Sequence, residues 1–178
     1  MAEKSANLGE GNKKLKRTAE TKIKAIVVTV SDTRREDTDV SGVTLVGLLL
    51  GIGAEIVEKL IVSDDFNDLQ NTLFALTARK DANLIITTGG TGLAERDNTP
   101  EATRAVIEKE APGIAEAMRF ATLKNTPTAM LSRGVCGIKN QTLIINLPGS
   151  PKGVTECFEV IKPILPHSIN LLAGNTKH

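Results

Sequence analysis

The stretch Leu84–Thr103, LIITTGGTGLAERDNTPEAT, constrains the chain more than any other. Leu84, Ile85, Ile86 and Thr87 are apolar or β-branched without alternation, which predicts a short strand covered on both faces. Gly89-Gly90-Thr91-Gly92 follows at once, and a helix is predicted to open at Thr99-Pro100-Glu101. Thr99 can cap it, Pro100 suits the first helical position because its missing N–H has no partner there, and Glu101 faces the positive end of the helix dipole. Strand, glycine turn, acidic loop and helix in that order put a candidate site at the carboxyl end of a strand, where open α/β sheets bind ligands.

Glycines let the backbone approach a ligand and turn successive N–H groups toward an anion, so phosphate is the natural guest. Asp97 sits oddly in such a site. A carboxylate beside a polyphosphate repels it unless a cation lies between them, which reads Asp97 as a Mg²⁺ contact. The plainer alternative is a tight turn with Asp97 as a solvated or capping residue, because a lone glycine turn is a weak motif. The same logic recurs downstream. Thr142–Leu147, TLIINL, predicts a buried strand, and Pro148-Gly149-Ser150-Pro151-Lys152-Gly153 supplies a glycine turn, a capping Ser150 and a proline at the first helical position. Two helix N-termini at one sheet edge can hold two anionic groups, with Ser150 adding a hydroxyl and Lys152 a charge.

TTGGTGLAERDNTPEAT at Thr87–Thr103, with INLPGSPKG at Ile145–Gly153, resembles the molybdopterin-binding family: the bacterial Mog and MoaB proteins and the G domain of gephyrin and its plant counterpart. The resemblance runs from Lys22 to the C-terminus. It implies transfer of AMP from Mg-ATP to molybdopterin with release of pyrophosphate, a step in molybdenum cofactor synthesis. The two carboxylates essential in that family map onto Asp64 and Asp97, which would also hold the Mg²⁺. A Pro-Asp pair usually carries the first of them, whereas this chain has Ser63-Asp64-Asp65; Asp64 is preferred over Asp65. A second departure is Asn98, where an apolar residue is common. Residues expected to contact molybdopterin or the ATP phosphates are Ser31, Asp32, Ser41, Gly89, Gly90, Thr91, Gly92, Thr99, Pro148, Gly149, Ser150 and Lys152. Relatives form trimers, some hexamers, which implies a homo-oligomer, and a molybdenum-insertase partner is implied as well. The alternatives are a molybdopterin carrier of the same fold without transferase activity, a scaffold as in gephyrin, and a hydrolase acting on pyridine nucleotides.

The remaining chain predicts a three-layer α/β sandwich with a mostly parallel central sheet and helices on both faces, of the MoaB/Mog type. Residues 1–21 are charged and lack apolar periodicity, so a flexible N-terminal segment is expected there, with one domain over 22–178. Ile23–Val30 and Ala54–Val62 predict strands. A helix from Ser41 to Leu50, apolar nearly all round, predicts burial by the sheet and by another chain. Phe66, Leu69, Leu73 and Leu76 share one face of a helix whose N-terminus lies at Asp64-Asp65. A helix from Pro100 to Ala111 is predicted to stop at Pro112-Gly113. Ile114, Ala117, Met118 and Ala121 form the core face of the next one, and Thr126–Met130 reads as a loop. Leu131–Val135 is expected to pair with TLIINL through a turn near Lys139–Gln141. Val154, Phe158, Ile161 and Leu165 line a final helix kinked by Pro163 and Pro166. Arg133 reads as exposed or as meeting an anion, and His167, one of only two histidines, has no metal-spaced partner.

Composition narrows the function classes. With 178 residues, a net charge of +1, no Trp or Tyr and four Phe, the chain lacks the basic surplus and aromatic platforms of a nucleic-acid binder. Cys136 and Cys157 lie in no metal-ligand spacing and read as buried thiols. No apolar run of about 18 residues is present, so no membrane span is expected and a cytoplasmic protein is.

Overall fold

A computed structural model describes residues 21–175. The expectation of a flexible segment over 1–21 lies outside them, apart from Thr21, whose main-chain N–H donates to Asn170 Oδ1 at 2.7 Å. Strands β1 (Lys24–Val30), β2 (Glu55–Val62), β3 (Leu84–Thr88), β4 (Lys109–Glu110), β5 (Cys136–Lys139) and β6 (Thr142–Leu147) form one sheet in the order β2-β1-β3-β6-β5-β4. β2, β1, β3 and β6 run parallel, while β5 and β4 turn back antiparallel at one edge. The mostly parallel sheet follows from its sequence. IKAIVVTV, LIITT and TLIINL offer no polar face, so they fold only where helices cover both sides.

Alternate residues of β1 feed the two cores. Ala25 and Val27, with Leu84, Ile86 and Ile145, meet Leu45 and Leu49 of α1 (Val40–Gly51), Met118 of α4 (Pro112–Leu123), Phe158 of α5 (Pro151–Ile161) and Ile169 of α6 (Leu165–Leu172). Ile26 and Val28, with Ile85 and Ile144, meet Leu69, Leu73 and Leu76 of α2 (Phe66–Thr77) and Ala102 and Val106 of α3 (Thr99–Val106). The three-layer sandwich expected from the sequence is thus the one observed.

Several boundaries differ from expectation for local physical reasons. α1 opens at Val40, not Ser41, because the Asp39 carboxylate caps it by accepting from the Gly42 N–H at 2.9 Å. Thr99 does not cap α3. It is the first helical residue, preceded by Asn98, and its hydroxyl donates to the Gly89 carbonyl at 2.9 Å. α3 ends at Val106 and not near Ala111: Ile107 turns extended, and the N–H groups of Glu108 and Ala111 donate to β5 carbonyls of Ile138 and Cys136. On α4 the buried residues are Ala115, Met118 and Thr122, while Ala117 faces outward. Pro127–Leu131 winds into a 3-10 helix where the sequence reads as a loop, and pairing with β6 starts at Cys136, later than Leu131–Val135. The hairpin turns at Asn140, in the left-handed region at φ 55°. The final helix does not merely kink. It breaks into a 3-10 turn at Lys162–Ile164 before α6.

Candidate active site

The four parallel strands end side by side, since Ile61, Thr29, Thr88 and Leu147 stand in register. Each strand then delivers a loop to the same edge. Gly89 adopts φ 106° immediately after β3, and a Cβ there would lie 2.4 Å from the Val30 carbonyl oxygen, so only glycine fits. A Cβ on Gly149 would lie 3.2 Å from Gly89 Cα. The two glycine turns are therefore packed directly on one another, one surface built from two motifs.

Pro148-Gly149 is held from below. The Gly149 carbonyl accepts from the Ser41 hydroxyl and from Arg34 Nη2, both at 2.7 Å, and the Pro148 carbonyl accepts from Thr88 Oγ1 at 2.8 Å. Ser41 and Thr99, expected to contact substrate, are fully buried and direct their hydroxyls to loop carbonyls. Ser150 caps α5, accepting from the Gly153 N–H at 3.1 Å. Lys152 points to solvent, its side chain 76% exposed and its Nζ 3.8 Å from Glu156.

The carboxylates gather on the β1–β2–β3 side. Asp65 is the N-cap of α2, with Oδ1 accepting from the N–H groups of Asn67 and Asp68 at 2.8 and 3.1 Å. Its neighbour Asp64 instead faces the glycine turn: a Cβ on Gly90 would stand 3.4 Å from Asp64 Oδ1. A Cβ on Gly92 would stand 2.8 Å from Asp97 Oδ2, so both carboxylates lean on Gly90–Gly92. Asp64 Oδ2 accepts from the Asp32 N–H at 2.9 Å, and Asp97 Oδ2 from the Ala94 N–H at 2.9 Å. Among the described residues the second oxygen of each, Oδ1, receives no protein donor. Ser31 accepts from the N–H groups of Thr33 and Arg34 at 3.2 and 3.1 Å, shaping the loop after β1.

Electrostatics separates the acids. Burial pushes the Asp64 carboxyl above its ordinary value, and the charges of Asp32 and Asp97 add to the rise. Asp32 moves the other way, held low first by the Ser63 hydroxyl at 2.9 Å and then by Asp64 N–H and Arg96, whose Nε lies at 2.7 Å. Among the described residues no group of three or more His, Cys, Asp or Glu side chains is spaced to hold a metal. The pair Asp64 and Asp97 nevertheless fits Mg²⁺: two hard oxygens without donors, beside backbone suited to phosphate, which is how that ion is commonly held.

Sequence reasoning missed two supports, Asp39 and Asn146, and gave a third, Arg133, only as exposed or as meeting an anion, which here is the Glu101 carboxylate. Asp39, its side chain wholly buried, accepts from Lys59 Nζ at 2.7 Å and Thr29 Oγ1 at 2.8 Å besides capping α1. An acidic residue three positions before Gly42 at the head of an apolar run was the legible signal for the cap; the partner Lys59, on β2, was not. Asn146 joins β6 to its surroundings, donating to Thr87 and Thr103 hydroxyls at 3.0 Å and accepting from the Val135 N–H at 3.0 Å. Arg133 reaches into the loop that carries Asp97. Beside Pro148 a cavity of about 150 Å³ opens between α4 and α5, lined among others by Met118, Arg119, Ser132, Asn146 and Ser150.

Fold and site together define an α/β domain with a doubled strand–glycine turn–helix motif at one sheet edge and a flanking acid pair. The chain belongs to the family described as "Probable molybdopterin binding domain", which matches residues 26–167. It is 47% identical over 115 residues to a protein of Helicobacter pylori strain J99 named molybdopterin adenylyltransferase, a match that spans 65% of this chain and 65% of that protein. It is 44% identical over 152 residues, 84% of this chain and 25% of the other, to the Drosophila melanogaster molybdenum cofactor synthesis protein cinnamon. Among solved structures, the molybdopterin biosynthesis enzyme MoaB from Thermus thermophilus is 42% identical with a TM-score of 0.78, covering 85% of this chain and 97% of that one.

Proposed function

We propose that this protein is a molybdopterin adenylyltransferase acting in molybdenum cofactor biosynthesis, using ATP and Mg²⁺. The observation that carries the reading is the pair of carboxylates, Asp64 and Asp97, set against Gly90 and Gly92, with Oδ1 of each free of a protein donor among the described residues. The name of the Helicobacter pylori relative supplies the reaction class, and that of the Drosophila relative the biosynthetic process. Asp64 and Asp97 would hold Mg²⁺, which when bound offsets the negative charge of the ATP phosphates. The backbone of Gly89–Gly92 and the N-terminus of α5 behind Ser150 bind and orient phosphate oxygens. In the transfer, an oxygen of the molybdopterin phosphate bonds to the α-phosphorus of ATP while the bond to the bridging oxygen breaks and pyrophosphate leaves. Reactions of this kind depend chiefly on positioning and fixed charge, so the site needs no nucleophilic side chain.

The same reading includes a homotrimer, a molybdenum-insertase partner and a cytoplasmic setting. No helix among the described residues is long and apolar enough to cross a membrane. Val40, Val43 and Leu50, at 59%, 58% and 56% exposure on the outer side of α1, support a contact with a second copy.

The decisive experiment is pyrophosphate release from Mg-ATP with purified molybdopterin, for the wild type, Asp64→Asn and Asp97→Asn. Release by the wild type, with loss of roughly 100-fold or more in either variant and molybdopterin still bound, is the expected result. Tight molybdopterin binding without release from any of the three favours a carrier and overturns the transferase reading.

A further inference from the structure

We propose that Arg133 is a positioning residue: it closes the loop Thr91–Glu101 into a fixed ring and so sets where the Asp97 carboxylate stands. The proposal rests on the adenylyl-transfer reading of Asp97, but its geometry is independent of it. Arg133 lies between the 3-10 helix Pro127–Leu131 and β5, remote in sequence from the loop it holds. Its main-chain N–H donates to the Thr91 carbonyl at 2.9 Å and its Nε to the Gly92 carbonyl at 2.7 Å. Nη2 donates to the main-chain carbonyl of Asp97 itself, and Nη1 pairs with Glu101 in the first turn of α3. One planar guanidinium thus ties both ends of the loop and the residue in its middle, a fork geometry that Lys lacks.

The arginine is itself braced. Arg119 of α4 donates to the carbonyls on either side of it, Ser132 at 3.3 Å and Gly134 at 3.1 Å. The strap then lies against β6, where a Cβ on Gly134 would come within 3.1 Å of the Asn146 carbonyl oxygen and the Val135 N–H donates to Asn146 Oδ1 at 3.0 Å. Glu101 Oε2 is buried with no partner among the described residues, which leaves Arg133 as the group that balances that carboxylate there. Besides Arg133 the loop has the Asp97–Ala94 turn at 2.9 Å, the Thr99 anchors, Asn98 Nδ2 on the Asp64 carbonyl at 3.1 Å and Arg96 Nε on Asp32 at 2.7 Å, but among the described residues Arg133 is the one side chain that donates to the carbonyls of Gly92 and Asp97. A carboxylate displaced by an ångström or less is enough to cost on the order of 10- to 100-fold in rate.

The test compares wild type, Arg133→Lys, Arg133→Gln and the double variant Arg133→Gln/Glu101→Gln. Measured for each are kcat and KM for Mg-ATP across Mg²⁺ concentration, molybdopterin affinity, Tm, and amide hydrogen exchange over residues 91–98. The expectation is a loss of roughly 10- to 100-fold in kcat for both Lys and Gln, a higher Mg²⁺ midpoint, and molybdopterin affinity within about twofold of wild type. The double variant regains Tm, because the stranded Glu101 charge is gone, but not kcat. Recovery of kcat by Lys means that charge alone suffices and overturns the proposal, as does recovery of kcat in the double variant. A wild type that releases no pyrophosphate overturns the transferase reading instead. The positioning role is then decided by exchange: faster exchange confined to residues 91–98 in Arg133→Gln upholds it, and unchanged exchange overturns it.

Discussion

Asp32 and Asp64 hold one another through their main chains: the Asp64 N–H donates to Asp32 Oδ1 at 3.1 Å, and the Asp32 N–H donates to Asp64 Oδ2 at 2.9 Å. This reciprocal clasp ties the loop after β1 to the loop after β2 and turns Asp64 toward the glycines, while the adjacent Asp65 is consumed as a helix cap.

The clasp has a pH consequence. Burial raises the Asp64 carboxyl above its ordinary value of 3.8, so the protonated acid is favoured in the folded state. Such a group contributes stability that is fully present below the unfolded pKa and is lost as pH rises through the folded one. Asp64→Asn is therefore expected to raise Tm at pH 7, with the gain shrinking on acidification, while activity falls. If Asp64 holds the cation as proposed, protonation would compete with it, and the acid limb of kcat/KM for Mg-ATP is expected above the ordinary Asp value of 3.8. An acid limb at or below 3.8, or a lowered Tm for Asp64→Asn at pH 7, counts against this account.

Asp39 behaves oppositely. Burial works to raise its carboxyl, but Lys59, the Gly42 N–H and Thr29 outweigh it and hold the value low. Its stabilisation is present above the unfolded pKa and is lost as pH falls through the folded one. Asp39→Ala strands Lys59 and uncaps α1, and is expected to cost about 3 kcal/mol at pH 7 by urea denaturation, the difference narrowing in acid. A change below about 1 kcal/mol is inconsistent with the buried pair described.

Two glycines separate strain from space. Gly89→Ala forces a side chain to φ 106° and against the Val30 carbonyl, so a loss of about 3 kcal/mol or more, or failure to fold, is expected. Gly113, in the first turn of α4, has nothing within 4 Å of its would-be Cβ, and Gly113→Ala is expected to gain about 0.5 kcal/mol. Equal effects in thermal melts contradict the tight seat of Gly89.

The outer stripe of α1 predicts the assembly. Light scattering is expected to give a trimer mass for the wild type and a smaller one for Val43→Glu, because a charge in an apolar contact is left unpaired. A monomeric wild type removes the oligomer from the proposed function.

The folded molecule follows the sequence closely where the signal is local and continuous. The apolar runs of β1, β3 and β6 demand two covering layers, the spacing of Leu69, Leu73 and Leu76 sets the buried face of α2, and Pro151 behind Ser150 starts α5 where expected. Asp97 and both glycine turns were equally legible, because their residue types carry the chemistry, whereas Asp64 was preferred over Asp65 only through the family resemblance. Less visible were features whose partners lie far along the chain. α3 stops early because β5 takes the N–H groups of Glu108 and Ala111, a competition that no helical propensity encodes.

Sequence alone thus determined the layer architecture, the two phosphate-suited turns and the carboxylate at Asp97, since hydrophobic period, glycine and carboxylate act through their immediate neighbours. Tertiary structure decided that the two turns share one surface at Gly89 and Gly149, that Asp64 rather than Asp65 faces it, that Lys152 points away, and that Arg133 holds Asp97. Those outcomes depend on which loops the sheet order brings together, a property of long-range pairing that no local pattern contains.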